Sequence, residues 1–356
     1  MEIIAQLVVL LLLTRLFGEI AARLGLAVTV GELTAGVMIA AVVAGFGTTL
    51  PVLGPLLSGI ATSDTLRLIS NAAIFFLVLM AGIEMRPGEV AQHSGASFMV
   101  ALGGVLLPLS AGFWLAWTFL PDSDARQAQA LLVGVVMSIT SIPATAKIFN
   151  ELNLIHTKVG QTVIYAAIFD DVIGVFLLAV LTAVIETGHI PDLTSFALLL
   201  LKIGMFFAVV IGLGVHVYPR VSRRLQALQT ASAEFSILMA VALCYALLAE
   251  ALGMHWILGA FAAGLFFEPA RVGAFAYTEM KMIVTGVTVG FFGPIFFASI
   301  GLRVDLTAIG AVPWFVAALI VVAFAGKLLG AGVPARWTGL GTRASVVVGV
   351  GMSTRG

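Results

Sequence analysis

Charge is what this sequence has least of. Of 356 residues only 10% are Asp, Glu, Lys or Arg, against about 25% in a soluble domain. A globular enzyme of this size could not wet its surface with so few. The charges present also cancel, 18 basic against 18 acidic, which removes the basic patch that nucleic-acid binding needs. Cysteine is nearly missing: Cys244 is alone, so no intrachain disulfide can form. Its apolar neighbours make it a small buried hydrophobe. No basic region precedes the first apolar run, Ile3 to Phe17, and more membrane-like sequence follows at once, so no cleavable signal peptide is read there. The five His show no metal-ligand spacing, and a Gly-rich phosphate loop, a nucleophile elbow and a CxxC pair are all lacking. Conventional enzyme chemistry has no residues to stand on, and no resident cofactor is expected.

What the sequence has in quantity is apolar length. Hydrophobic residues make up 61% of it and the mean hydropathy is +1.14. A membrane span needs about 20 mostly apolar residues, and about twelve stretches qualify or nearly so: 3–23, 28–46, 66–85, 97–120, 128–150, 158–186, 195–217, 232–251, 254–269, 281–302, 311–333 and 344–356. The 24 Phe and 38 Gly suit closely packed membrane helices. The last stretch stops at Gly356, too short to span, so the native sequence is expected to continue. With the N-terminus outside, the cytoplasmic connections carry Arg15, Arg23, Arg86, Lys147, Lys158, Arg220, Arg223, Arg224, Arg271, Lys281, Arg336 and Arg343. The outer connections carry only Arg67, Arg126 and Arg303. The positive-inside rule therefore favours N-out.

The segments repeat. Leu24-Gly25-Leu26 through Gly31 to Ala35-Gly36 matches Leu252-Gly253-Met254 through Gly259 to Ala263-Gly264. Ile74-Phe75-Phe76 with Gly82-Ile83-Glu84-Met85 resembles Ile295-Phe296-Phe297 with Gly301-Leu302-Arg303-Val304. Val133-Gly134-Val135 with Met137-Ser138 matches Val348-Gly349-Val350 with Met352-Ser353. These pair segment 2 with 9, 3 with 10 and 5 with 12. Each offset is odd, so partners cross the membrane in opposite directions. That is an inverted-topology repeat, common among secondary transporters.

Two of the paired segments are polar where they should be apolar. Met137-Ser138-Ile139-Thr140-Ser141-Ile142-Pro143 puts a proline, which lacks an N–H, inside a membrane segment. Its counterpart is Gly351-Met352-Ser353-Thr354-Arg355-Gly356. Broken helices at membrane depth survive only inside protein or along a cavity. The alternative is a proline kink whose Ser and Thr bond back to their own helix. Segment 6 holds two adjacent acids, Asp170 and Asp171, and segment 11 holds Lys327 among apolar and small residues. Buried charges in a membrane are functional candidates by default. Neighbours on a helix point about 100° apart, so one acid can face a cavity while the other faces a partner, for which Lys327 is the candidate. A structural salt bridge is the plainer alternative. Glu32 and Glu250 read as packed polar anchors, Lys202 as a snorkelling residue near a segment end, and Glu84 and Arg303 as interfacial.

These residues are familiar as a set. Ile168-Phe169-Asp170-Asp171-Val172-Ile173-Gly174 resembles the paired-aspartate motif of the cation:proton antiporter superfamily. The branch it is most similar to holds bacterial Na+(K+)/H+ antiporters and Kef-type potassium-efflux transporters. Thr140-Ser141-Ile142-Pro143 with Lys147-Ile148-Phe149, Pro294-Ile295-Phe296-Phe297 through Gly301-Leu302, Gly326-Lys327-Leu328-Leu329-Gly330, and Ser353-Thr354-Arg355-Gly356 resemble its other signatures, in its order. The resemblance implies an all-α polytopic membrane protein of about 13 segments, N-terminus outside, with two crossing broken helices. It implies scaffold or dimerisation segments over 1–95 and 231–310, and core ion-transport segments over 96–190 and 311–356. A linking segment and basic loop would fill 191–230.

By the same carry-over, Asp171 binds the transported metal ion and the proton. Asp170 pairs with Lys327, and Thr140, Ser141 and Ser138 lie at the ion site. Pro143, Ser353, Thr354 and Arg355 mark the broken helices. The expected partners are a monovalent cation, Na+ or K+, the proton, membrane lipid and a second copy in a homodimer. The expected place is the inner membrane and the expected function is exchange of protons for that cation. Kef-type proteins usually lack the acidic pair, so Asp170 argues for an exchanger. A Kef-like ligand-gated efflux system and a non-transporting membrane sensor are the alternatives.

Overall fold

The computed structural model describes residues 2–46, 56, 59–60, 64–84, 94–141, 145, 149, 152, 154, 157–187, 193–217, 220, 233–252 and 256–354. Among the expected site residues, Pro143 and Arg355 lie outside these, as do Met85, Ile142, Gly253, Met254 and Gly356 of the repeat and broken-helix motifs. The described residues are helical or in turns, with no strand. In lipid each backbone polar group must be satisfied within its own segment, and helices do this. The helices are α1 (Glu2–Arg23), α2 (Val28–Phe46), α3 (Asp64–Glu84), α4 (Ser94–Phe119), α5 (Arg126–Ser138) and α6 (Lys158–Thr187). They continue with α7 (Leu193–Gly212), α8 (Ala233–Ala251), α9 (Trp256–Phe266), α10 (Ala274–Leu302), α11 (Pro313–Trp337) and α12 (Thr342–Gly351). Among the described residues, 8 helices are long and apolar enough to cross a membrane.

The chain divides into two compact units. The first is Met1–Met85, Val217–Leu243 and Ala260–Ala311. Here the repeat appears as helix contacts. A Cβ on Gly36 of α2 would overlap the Ala298 carbonyl of α10, and one on Gly301 of α10 would overlap the Leu33 carbonyl of α2. The image of this crossing joins α9 to α3: Gly264 sits on the Leu79 carbonyl and Gly82 on the Phe261 carbonyl. Glycine is required at these positions because backbone approaches backbone without room for a methyl.

Helix α10 is not uniform. A π-turn spans Thr288–Phe292, and Pro294 follows it. Pro294 has no N–H to give the Gly290 carbonyl. Arg15 of α1 supplies the missing donor, with Nη2 at 2.7 Å from Gly290 O and 2.8 Å from Val289 O. Arg15 was counted above with the cytoplasmic connections; it lies instead within α1, where its guanidinium satisfies carbonyls freed by the proline.

The second unit is Arg86–His216, Cys244–Gly259 and Val312–Gly356. Helices α4 and α11 meet at reciprocal glycines: a Cβ on Gly103 would overlap the Gly330 carbonyl, and one on Gly330 would press on the Gly103 carbonyl. Around this pair α5 and α12 repeat each other. Gly134 of α5 rests on the Leu109 carbonyl of α4, and Gly349 of α12 rests on the Leu328 carbonyl of α11. Arg126, the first residue of α5, lies 4.5 Å over the Trp117 ring and donates from Nε to the Trp117 carbonyl at 3.2 Å, fixing where α5 begins.

Two readings of single residues change. Cys244 is exposed, because on a membrane helix apolar surroundings include the lipid itself. Lys202 is exposed near the middle of α7 rather than at a segment end. Glu32 is buried in α2, whereas Glu250, Glu84 and Arg303 are exposed at or next to helix ends.

Candidate functional site

Four elements of the second unit converge on one buried charge pair. Helix α6 is continuous for 30 residues and carries Asp170 near its middle. Helix α11 carries Lys327, likewise far from either end. Both side chains are 0% exposed. Lys327 Nζ donates to Asp170 Oδ1 at 3.0 Å and to Oδ2 at 3.2 Å. Isolated charges cannot be left here; paired and hydrogen-bonded ones can.

The third partner arrives because α5 stops. After Ser138 the backbone turns extended at Ile139 (φ −76°, ψ 138°), which brings Thr140 to the pair. Its N–H donates to Asp170 Oδ2 at 2.6 Å. Its hydroxyl accepts from Lys327 Nζ at 2.6 Å and so donates onward, to the Met352 carbonyl at 3.3 Å. A single hydroxyl thus links the ion pair to the unwound end of α12. The resemblance gives Thr140 as an ion ligand; in this arrangement its hydroxyl is taken up by Lys327 and Met352.

The fourth element is that unwound end. Helix α12 finishes at Gly351, whose Cα faces the Phe149 ring so closely that a Cβ would stand 2.6 Å from Phe149 Cζ. The two unwound stretches then bond to each other. Ser141 N–H donates to the Thr354 carbonyl at 3.0 Å. Thr145 N–H donates to the Ser141 carbonyl at 3.0 Å. The Thr145 and Thr354 hydroxyls are in direct contact. Ser138 and Ser353 turn away: each bonds back to its own helix, at Val135 O (2.7 Å) and Gly349 O (2.8 Å).

Asp171 differs from its neighbour. It is half-buried, and among the described residues its carboxylate takes part in no hydrogen bond or ion pair. About 100° of helical rotation separates it from Asp170. One acid is saturated with donors and the other keeps its oxygen lone pairs. Among the described residues no three of His, Cys, Asp and Glu gather to hold a metal.

The structure therefore brings Asp170, Thr140 and Lys327 together and joins Ser141 to Thr354. Sequence reasoning passed over Thr145 and Met352. Thr145 had a signal, a polar residue one helical turn after Ser141 in an apolar stretch. Met352 had none, since it acts through its carbonyl.

Comparison with known proteins gives a consistent family. The family described as "Sodium/hydrogen exchanger, transmembrane" matches residues 8–356. The Na(+)/H(+)-K(+) antiporter GerN of Bacillus cereus is 31% identical over 355 residues, which is 100% of this chain and 85% of GerN. The High-affinity Na(+)/H(+) antiporter NhaS3 of Synechocystis is 26% identical, over 99% of this chain and 80% of NhaS3. Among solved structures, the sodium proton antiporter MjNhaP1 from Methanocaldococcus jannaschii superposes with TM-score 0.70 at 14% identity, covering 99% of this chain and 85% of that one.

Proposed function

The chain belongs to the sodium/hydrogen exchanger family, and from that premise we propose that Asp171 is the residue at which its protons and cations compete. It is a secondary transporter rather than an enzyme, and it exchanges protons for a monovalent cation. A relative named for both Na+ and K+ supports either ion as substrate.

The observation that carries the site is the contrast between two adjacent acids. Asp170 is held by Lys327 and Thr140, and Asp171 is held by neither. A carboxylate with free lone pairs binds either a proton or a cation. A bare charge in the low-dielectric barrier is costly, so only the protonated or cation-loaded site crosses readily. Bringing a cation to one side and a proton to the other then becomes obligatory exchange. Raising the pH empties the site of protons and increases its cation occupancy. In this scheme the second unit is the ion-carrying core and the first is the scaffold. The N-terminus faces outward across an inner membrane, as the Lys and Arg distribution favours. A homodimer in lipid completes the scheme; the exposed apolar stripe Ile4, Val8, Leu12, Leu16 and Ile20 on α1 offers a surface for lipid or a second copy.

The test is proton flux in everted vesicles from a host without antiporters of its own, with the protein expressed from its complete gene. After acidification of the interior, Na+, K+ and Li+ are added in turn. Collapse of the gradient by one of them identifies the substrate. Asp171→Asn is expected to abolish that collapse, and exchange at the wild-type rate in this variant would remove Asp171 from the role.

A further inference from the structure

The contact between the two unwound stretches carries a second residue into the site. Thr145 and Thr354 come from different halves of the inverted repeat, and their hydroxyls touch. Each also has a carbonyl of its own stretch within reach: Ser141 O lies 2.8 Å from Thr145 Oγ1, and Gly351 O lies 3.0 Å from Thr354 Oγ1. A hydroxyl has one proton to give. Two hydroxyls therefore face three acceptor positions, the two carbonyls and one another. When Thr354 donates to Thr145, the Thr145 proton goes to Ser141 O and Gly351 O receives no hydroxyl. When Thr145 donates to Thr354, the Thr354 proton goes to Gly351 O and Ser141 O loses its hydroxyl donor. The two arrangements keep the same connections and differ only in which broken-helix carbonyl is relieved.

The pair is also placed to matter. Ser141 follows Thr140, which binds both Asp170 and Lys327, and Gly351 precedes Met352, whose carbonyl takes the Thr140 hydroxyl. Thr145 is fully buried. Among the described residues no other side chain–side chain hydrogen bond joins the two stretches.

We infer that Thr145 is a positioning residue for ion selectivity, acting through Thr354: the shared hydroxyl pair decides whether the Ser141 or the Gly351 carbonyl is relieved of its hydroxyl donor and left the stronger acceptor for the cation. This rests on the proposal that the exchange site lies beside Asp171. Neither threonine need touch the ion. Freed carbonyls at broken helices are what membrane transporters offer to cations, and the number and placement of such oxygens separates Na+ from K+. A device that frees one carbonyl at a time sets that number.

The experiment measures apparent KM and maximal rate for Na+, K+ and Li+ in the vesicle assay for wild type, Thr145→Val, Thr145→Ser, Thr354→Val and the double valine variant. Valine keeps the shape and deletes the hydroxyl. Each single valine variant is expected to raise KM for the preferred cation about tenfold, equivalent to ~1.4 kcal/mol, and to change the ratio of KM values between cations, with a smaller effect on maximal rate. Thr145→Ser restores wild-type KM, and the double variant is no worse than either single one. Unchanged KM ratios in a folded valine variant overturn the inference, as do single effects that add in the double variant. If Thr145→Val does not reach the membrane, Thr354→Val and Thr145→Ser decide on the same criteria. A wild type that exchanges no cation instead refutes the site proposal itself, and is told apart by that control.

Discussion

Asp170 and Lys327 are both fully buried, so each charge depends on the other. Removing one partner of a buried pair strands the remaining charge and costs about 3–5 kcal/mol, whereas neutralising both together costs far less. Lys327→Met and Asp170→Asn are each expected to lower the melting temperature of the purified protein sharply, and the double variant to recover most of the loss. Equal and additive losses would mean that the two charges are not coupled. Asp171→Asn belongs in the same series as the contrasting case. Its carboxylate has no partner among the described residues, so its melting point should stay near that of the wild type while exchange disappears. Together the three substitutions separate the acid that holds the structure from the acid proposed to carry the ion.

At the scale of elements, stability rests on places where one helix completes another. Arg15 of α1 satisfies the carbonyls left open by Pro294 in α10. Arg15→Met should therefore cost about 1–3 kcal/mol, the penalty for leaving an acceptor without a donor in an apolar medium, read as a lower melting temperature. Gly36→Ala and Gly301→Ala should each cost about 1–3 kcal/mol by forcing α2 away from α10, because a Cβ at either site overlaps backbone. The short helix Leu306–Ala311 follows an acidic residue, Asp305, whose hydrogen bonds predict a pH effect. Asp305 Oδ1 accepts from the Thr307 hydroxyl (2.6 Å), the Thr307 N–H (2.9 Å) and the Ala308 N–H (3.0 Å). These donors hold its carboxyl below the usual aspartate value. A depressed folded pKa means that the cap is fully stabilising above the unfolded value, about 3.9. The contribution is lost as pH falls through the lower folded value. Protection of the Thr307 and Ala308 amides, measured against their intrinsic exchange rates, should be high near neutrality and fall under acid, and Asp305→Ala should remove it at every pH.

For the whole molecule, one site serving two ligands makes a kinetic demand. Where protons compete for the carboxylate, apparent KM for the cation should fall by up to about tenfold per pH unit as pH rises, then level off once the site is unprotonated. A KM independent of pH across the whole range would be incompatible with shared occupancy of Asp171. Topology is open to a chemical check. In a Cys244→Ser background, a cysteine replacing Asp305 should react with a membrane-impermeant thiol reagent from outside, and one replacing Glu268 only from inside. The reverse pattern would invert the orientation read from the basic residues.

The sequence determined the helical class, most helix positions and the inverted repeat, because lipid imposes apolar length and internally satisfied backbones on every span. It also singled out Asp170, Asp171 and Lys327, since charge is so costly in that medium that its presence is conspicuous. The cost of burying charge could not say which acid was bound and which was free, and it was the family resemblance that implied a pairing of Asp170 with Lys327; in the structure the rotation of α6 against α11 and the stop of α5 at Ser138 distinguish the two acids. Cys244 and Arg15 were misplaced for a related reason. Hydropathy tells that a residue lies in an apolar medium but not whether that medium is protein or lipid, nor which neighbouring carbonyl lacks a donor. Contacts between the unwound stretches were decided by tertiary structure alone, because Met352 acts through a backbone carbonyl that every residue possesses, and the partner of the Thr354 hydroxyl lies 209 residues away in the chain.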